Sequence, residues 1–141
     1  MSTQYTSNLM MVRPAGFQFN YETAVSNAFQ KSLEGLSADE IKQKAIEEFD
    51  AYVAKLRANN INVTVFQDTD EPTKPDAIFP NNWISMHENG TVFLYPMLTE
   101  NRRLEIRTEI LEELKTSFIV SKVNDITASV NEGKFLEGTG S

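Results

Sequence analysis

The sequence predicts an α/β fold, and three observations support that prediction. Short apolar runs typical of strands alternate twice with amphipathic helical segments. An Asn-Gly pair at 89–90 separates two of the runs, which favours a β-hairpin. The chain has 141 residues and 40% hydrophobic content, enough to bury a core. We therefore expect one globular domain built from strand–helix–strand units.

The first predicted unit begins with the apolar run 9–12, which is short and continuous like a strand buried on both faces. Residues 15–36 are predicted to be an irregular connection. Ser37 and Glu40 form a capping box, so a helix should begin there and run to about residue 58. One face of that helix is apolar and consists of Ile41, Ala45, Ile46, Phe49, Tyr52, Val53 and Leu56.

The second predicted unit follows a polar, proline-containing link at 68–75, in which we expect the cluster of Asp68, Asp70 and Glu71 to be solvated. Asparagines at 59–60 can end the first helix in the left-handed conformation, and the alternating segment 61–65 predicts a strand before the link. After the link come strands at 83–86 and 91–95, a helix and a strand restarting at 118–120. The apolar face of this helix consists of Leu104, Ile106, Ile110, Leu111, Leu114 and Phe118.

These elements place the units at approximately 8–67 and 82–123, with a third unit opening near 134. Strand–helix units at such a spacing are typical of repeat architectures. Two units leave sheet edges uncovered, so we expect self-association if the chain is only this long.

Composition excludes several classes of function. The net charge of −7 and the scattered basic residues disfavour nucleic-acid binding. No run approaches the roughly 18 apolar residues of a membrane span, and the N-terminus lacks a secretory pattern, so we predict a cytoplasmic location. The chain has no cysteine, so it can form neither a disulfide nor a thiolate metal site. We predict no metal and no cofactor.

The segment from Pro75 to Trp83 contains the most informative group of polar residues. Two prolines restrict its backbone, which we expect to follow one extended path presenting Asp76, Asn81 and Asn82. A carboxylate and amides of this kind suit a small, nitrogen-rich ligand. The alternative, an Asx-turn in which these side chains satisfy the local backbone, remains open.

Three further charged residues are candidates for a binding site. Arg102 and Arg103 stand at the start of the second helix and could bind a carboxylate in a forked pair, although a solvated surface pair is an alternative. Glu137 lies between an apolar pair and a glycine turn, where we expect partial desolvation suited to catalysis; a strand-end glutamate facing water is the alternative. His87, the only histidine, is predicted to lie in an exposed turn with a structural role.

Four segments in order along the chain resemble the guanidino-group-modifying, or pentein, superfamily of arginine deiminases, dimethylarginine hydrolases and amidinotransferases. The similarity is greatest to amidinotransferase-like and citrulline-utilisation hydrolases. The segments are Met11-Val12-Arg13-Pro14, Pro75-Asp76-Ala77-Ile78-Phe79-Pro80-Asn81-Asn82-Trp83, Asn101-Arg102-Arg103-Leu104-Glu105 and Leu136-Glu137-Gly138-Thr139-Gly140-Ser141.

The resemblance implies a five-bladed α/β propeller of ββαβ-like blades, of which residues 1–141 would form about the first two-fifths. It implies a cysteine that attacks the guanidinium or ureido carbon and a histidine that moves protons, both in later blades. The chain would then be an N-terminal fragment, inactive alone, of a hydrolase or amidinotransferase acting on an arginine- or citrulline-like amino acid.

The resemblance also implies roles for individual residues. Asp76 would contact the amino-acid end of the substrate, one of Arg102 and Arg103 its carboxylate, and Glu137 its nitrogens. Asn82 stands where the family has a guanidinium-binding aspartate, and this amide favours a neutral ureido group, as in citrulline. Two alternatives remain: a non-catalytic binder or assembly protein that closes its propeller by oligomerisation, and an interaction domain in which the motif is architectural.

Overall fold

The computed structural model describes residues 5–24 and 35–138. The chain divides into two compact units, Met1–Phe79 and Pro80–Ser141. Each unit combines helices with one open sheet, of two strands in the first and three in the second. The α/β prediction is therefore confirmed. Within the described residues, no helix is both long enough and apolar enough to cross a membrane.

Unit 1 is a parallel strand pair joined through a long helix. Its elements are β1 (Asn8–Arg13), α1 (Tyr21–Ala24), α2 (Ala38–Ala58) and β2 (Asn62–Gln67). β1 and β2 run parallel, with Asn8 opposite Asn62 and Arg13 opposite Gln67. The predicted strand–helix–strand order is confirmed. The connection predicted to be irregular contains the short helix α1, and its residues 25–34 lie outside the described part of the chain.

Local sequence explains both ends of α2. The Ser37 hydroxyl accepts from the Glu40 amide, and the Glu40 carboxylate accepts from the Ser37 amide at 2.8 Å, which confirms the capping box. Hydrogen bonds to the Glu40 carboxylate from the Ser37 amide and from the Ser37 hydroxyl hold the pKa of Glu40 below its usual value. Asn60 adopts a positive φ of 61° after the helix ends, as predicted.

α2 packs on the sheet through Phe49 and Val53, which form a buried apolar cluster with Val63 of β2. Two expectations about burial in this unit are wrong. Tyr52 is exposed although it was assigned to the apolar face. Within β1 only Val12 is fully buried, because the sheet has two strands and α2 is the one long helix described in the unit.

Unit 2 is a hairpin followed by helices and a returning strand. Its elements are a 3-10 turn (Pro80–Asn82), β3 (Ile84–Met86), β4 (Thr91–Leu94), α3 (Glu100–Arg103), α4 (Thr108–Leu114), β5 (Lys122–Asp125) and a 3-10 segment (Thr127–Glu132). β3 and β4 are antiparallel, and Gly90 turns between them at φ 77°. β5 pairs parallel to β4. The predicted hairpin is confirmed.

The prediction of one helix from about residue 101 to 118 is wrong. Two short helices replace it, and the chain is non-helical between them from 104 to 107. Leu104 and Ile106 are two residues apart, which places them on opposite sides of any helix, so they cannot share one buried face. The predicted strand at 118–120 is also wrong: Ile119 is 87% exposed, and β5 begins at Lys122.

Candidate functional site

In unit 1, Asp76 lies in a buried polar cluster. Its Oδ2 accepts hydrogen bonds from Asn20 Nδ2 at 2.7 Å and Thr23 Oγ1 at 3.2 Å. Asn20 is itself buried and its Oδ1 accepts from the Glu22 amide at the start of α1. No local sequence pattern points to Asn20 or Thr23, which stand more than fifty residues before Asp76.

The loop that leads to Asp76 is fixed from its interior by Lys74. The Lys74 ammonium lies 3.2 Å from Asp68 Oδ1 and donates to Thr69 Oγ1 and Pro72 O, each at 2.8 Å. Asp68 and Lys74 are only 5% and 2% exposed. The expectation of a solvated cluster is therefore wrong for Asp68, which is buried beside the Lys74 ammonium, and is confirmed for Asp70 and Glu71, which are exposed.

The backbone of the Pro75–Trp83 segment is folded rather than extended. The Phe79 amide donates to Asp76 O at 2.9 Å, which closes a turn. Pro80 then opens a 3-10 turn, closed by the Trp83 amide on Pro80 O at 3.0 Å. The expectation of one extended path is wrong. Proline fixes a φ that also suits the first position of a helical turn, so its rigidity was compatible with either path.

In unit 2, Asn82 is tied to Gly138 by two hydrogen bonds. Asn82 Nδ2 donates to Gly138 O at 2.8 Å, and the Gly138 amide donates to Asn82 O at 2.9 Å. A Cβ at position 138 would collide with the carbonyl oxygen of Asn81. Glycine is thus required here, and it brings the segment that carries Glu137 against the 80–82 turn. The Asn81 side chain is exposed.

Glu137 is partly withdrawn from water, as predicted, with a side chain 30% exposed. Its Oε1 accepts from the Leu98 amide at 3.1 Å. Its Oε2 lies 3.7 Å from Arg102 Nη1. One backbone donor and one guanidinium therefore act on the two oxygens of this carboxylate.

The two neighbouring arginines have different partners. Arg102 is buried and binds Glu105 through a fork, with Nε–Oε1 and Nη2–Oε2 distances of 2.9 Å. Arg103 donates from Nε to Met97 O at 2.9 Å and from Nη2 to Leu98 O at 2.7 Å. The alternative of a solvated surface pair is wrong for Arg102. Glu105 was not predicted, although its position three residues after Arg102 is a pairing distance on a helix.

A cavity of about 350 Å³ opens beside Arg103. Its walls include Met97, Ile106 and Val130 and contain no carboxylate. That volume lies at the lower end of the range for small-molecule sites, and a guanidinium set in apolar walls suits a small carboxylate.

His87 lies in the exposed hairpin turn, as predicted. Its Nε2 is 3.2 Å from Ser85 Oγ, and its ring meets Phe93 edge-on at 5.5 Å. In the part of the chain that the structure describes, no group of three or more His, Cys, Asp or Glu residues is arranged to hold a metal ion.

Three solved structures have a similar fold. One is the dimethylarginine dimethylaminohydrolase from Pseudomonas aeruginosa, a cysteine-to-serine variant complexed with citrulline, at 22% identity over 84% of this chain and 41% of that one, with a TM-score of 0.56. The second is a dimethylarginine dimethylaminohydrolase adduct with 4-chloro-2-hydroxymethylpyridine. It is 21% identical over 84% of this chain and 40% of that one, with a TM-score of 0.54. The third is a histidine-to-glycine variant of dimethylarginine dimethylaminohydrolase, as an adduct with S-methyl-L-thiocitrulline. It is 22% identical over 92% of this chain and 44% of that one, with a TM-score of 0.60. No curated protein matches.

A family-model match over residues 13–141, together with the similar fold, defines a member of the guanidino-group-modifying superfamily, which confirms the predicted resemblance. Residues 13–141 match the family model described as N,N dimethylarginine dimethylhydrolase, eukaryotic. The chain belongs to this family. It spans about two-fifths of the length of the similar structures.

Proposed function

We propose that this chain supplies the substrate-binding part of a cysteine-dependent hydrolase or amidinotransferase that acts on the guanidino or ureido group of an arginine-like amino acid. The family match over residues 13–141 is the observation that carries the proposal. The chain would form about two of five blades of an α/β propeller, with units at 8–67 and 82–123 and a third opening near 134. The thiol nucleophile would come from polypeptide outside these residues, because none of them is cysteine.

The resemblance and the local contacts support a binding role for each of three charged residues. Asp76 would bind the ammonium of the amino-acid end, since Asn20 and Thr23 hold its carboxylate in a single orientation. Glu137 would bind substrate nitrogens with the capacity left after the Leu98 amide. Arg103 would meet the substrate carboxylate, because Arg102 is engaged in the fork with Glu105.

Asn82 would favour a neutral ureido group over a guanidinium. Its bond to Gly138 uses one of the two N–H groups of the amide, and an amide retains both donor and acceptor capacity. A carboxylate at this position would face the carbonyl oxygen of Gly138 and could not donate to it. The amide of Asn82 is therefore also needed for the local structure. Substrate preference should therefore be tested by changing the ligand and not by an aspartate variant alone.

Ligand titration of the 15N-labelled chain tests the proposal. We expect L-citrulline and N,N-dimethyl-L-arginine to shift the backbone amides of Leu98 and Gly138, and we expect Glu137→Gln to weaken that response at least about fivefold, the loss of one charged hydrogen bond. Glu132→Gln is the matched control, because Glu132 pairs with Lys134 in solvent. Equal responses of the two variants, or no response of the wild-type chain, would contradict the assignment.

Self-association is the second candidate function, and exposed apolar side chains support it. Several are more than about two-fifths exposed: Phe79, Met86, Leu98, Leu104, Ile119, Phe135 and Leu136. Sedimentation analysis of the chain over a range of concentrations would distinguish a monomer from a defined oligomer.

A further inference from the structure

We propose that Glu105 is a positioning residue for Glu137 and acts through Arg102. The inference rests on the proposed function in one respect, the role of Glu137 as a substrate-binding group. The contacts themselves, and the experiment below, concern the chain without any ligand.

Glu105 is the most deeply placed member of this group of charges. Its side chain is 1% exposed and that of Arg102 is 7% exposed. Both carboxylate oxygens accept from the same guanidinium at 2.9 Å. Ionised groups at such depth are costly unless they are paired with good geometry, so this pair is held in one arrangement.

The fork determines where the remaining nitrogen of Arg102 lies. A guanidinium is planar, so fixing Nε and Nη2 also fixes Nη1. Nη1 is 3.7 Å from Glu137 Oε2, beyond hydrogen-bond length but close enough for strong attraction between opposite charges. Glu105 thus sets the position of the positive charge that acts on Glu137.

The Leu98 amide provides the second constraint on the same carboxylate. It donates to Glu137 Oε1 at 3.1 Å. Arg103 holds the carbonyl oxygens on either side of that amide, Met97 O and Leu98 O. With the amide fixed on one oxygen and the Arg102 charge on the other, Glu137 has a defined orientation before any ligand binds. Preorganisation of this kind reduces the ordering cost of binding.

A purely structural salt bridge would stabilise the fold without affecting Glu137. The test therefore follows the Leu98 amide, which is hydrogen-bonded to the Glu137 carboxylate. The Leu98 amide resonance of the 15N-labelled 141-residue chain is followed from about pH 3 to 7, the range in which carboxylates titrate. We expect this resonance to move with pH in the wild type and to stop moving in Glu137→Gln, because the amide reports its hydrogen bond to Glu137. Failure of either expectation in these two proteins overturns the proposal without further variants.

The decisive variant is Glu105→Gln, which keeps the shape but removes the charge. We expect the pH-dependent movement of the Leu98 resonance to fall to less than about half of the wild-type movement, as a weakened hydrogen bond requires. Glu109→Gln is the matched control, since Glu109 pairs with Arg107 at 2.7 Å and is 65% exposed. An unchanged movement in Glu105→Gln, or an equal loss in the control, overturns the proposal.

A second variant covers the case in which Glu105→Gln does not fold. Arg102→Lys keeps the positive charge but lacks the fork, so it should give the same reduced movement at Leu98. Retention of the full movement in Arg102→Lys would show that the fork does not position Glu137.

Discussion

Replacing Lys74 by methionine tests whether the interior of the 68–74 loop is held by charge. The Lys74 ammonium is 3.2 Å from Asp68 Oδ1 and donates to oxygen atoms of Thr69 and Pro72. Methionine is also unbranched and only one atom shorter than lysine, but it lacks the charge and every donor. Asp68 is then left buried beside an apolar group, and the loop before Asp76 loses its internal contacts.

Removing one partner of a buried ion pair costs about 3–5 kcal/mol in the free energy of unfolding. Domains of this size are stable by only about 5–15 kcal/mol, so the loss should be obvious. Urea unfolding followed by circular dichroism is suitable, because α2, with 21 residues, is the longest helix described and its signal reports unit 1.

Lys42→Met is the matched control for this measurement. Lys42 pairs with Asp70 at 3.0 Å, but the two side chains are 40% and 79% exposed, so the loss should stay below about 1 kcal/mol. The double variant with Asp68→Asn should recover part of the stability lost in Lys74→Met. Equal losses in the two lysine variants would refute the view that burial makes the Lys74 pair strong.

Three further predictions concern packing, close approach and pH. Gly138→Ala should destabilise unit 2 by more than about 1 kcal/mol and raise amide exchange at 138, because its Cβ collides with the Asn81 carbonyl; unchanged exchange would contradict this. Ile110→Ala should cost about 2–5 kcal/mol, since the side chain is almost fully buried, measured by fluorescence of the sole tryptophan. Arg13 lowers the pKa of Asp50 in the folded chain, so their pair stabilises the fold above the unfolded-state pKa near 3.8. This stabilisation is lost as the pH falls through the lower folded-state pKa, and acid unfolding of Asp50→Asn should lack this component.

The elements of unit 1 were predictable because their signals are local. A serine and a glutamate three residues apart specify the start of α2, and an asparagine that tolerates positive φ specifies its end. The hairpin at Gly90 is a comparable case. The break between α3 and α4 was not predicted, because Leu104 and Ile106 were both placed on one apolar helix face. Residues two positions apart lie on nearly opposite sides of a helix.

The residues of the candidate site can be proposed from the sequence by their type, but their surroundings were not predictable. Asp76, Glu137 and the two arginines are visible in the sequence as charges beside apolar or glycine positions. Their partners come from distant parts of the chain: Asn20 for Asp76, and the Leu98 amide for Glu137. No local pattern encodes such a pair, because each polar group can form hydrogen bonds with water until packing buries it.

The sequence by itself determined the α/β class, the order of the main elements and the resemblance to the superfamily. It did so because helix caps, turns and alternation depend on residues only a few positions apart. The tertiary structure alone decided that Asp68 and Lys74 are buried, that Arg102 binds Glu105 while Arg103 binds backbone, and that Gly138 must lack a side chain. Those outcomes depend on desolvation and close approach between distant segments, and these arise only when the chain packs.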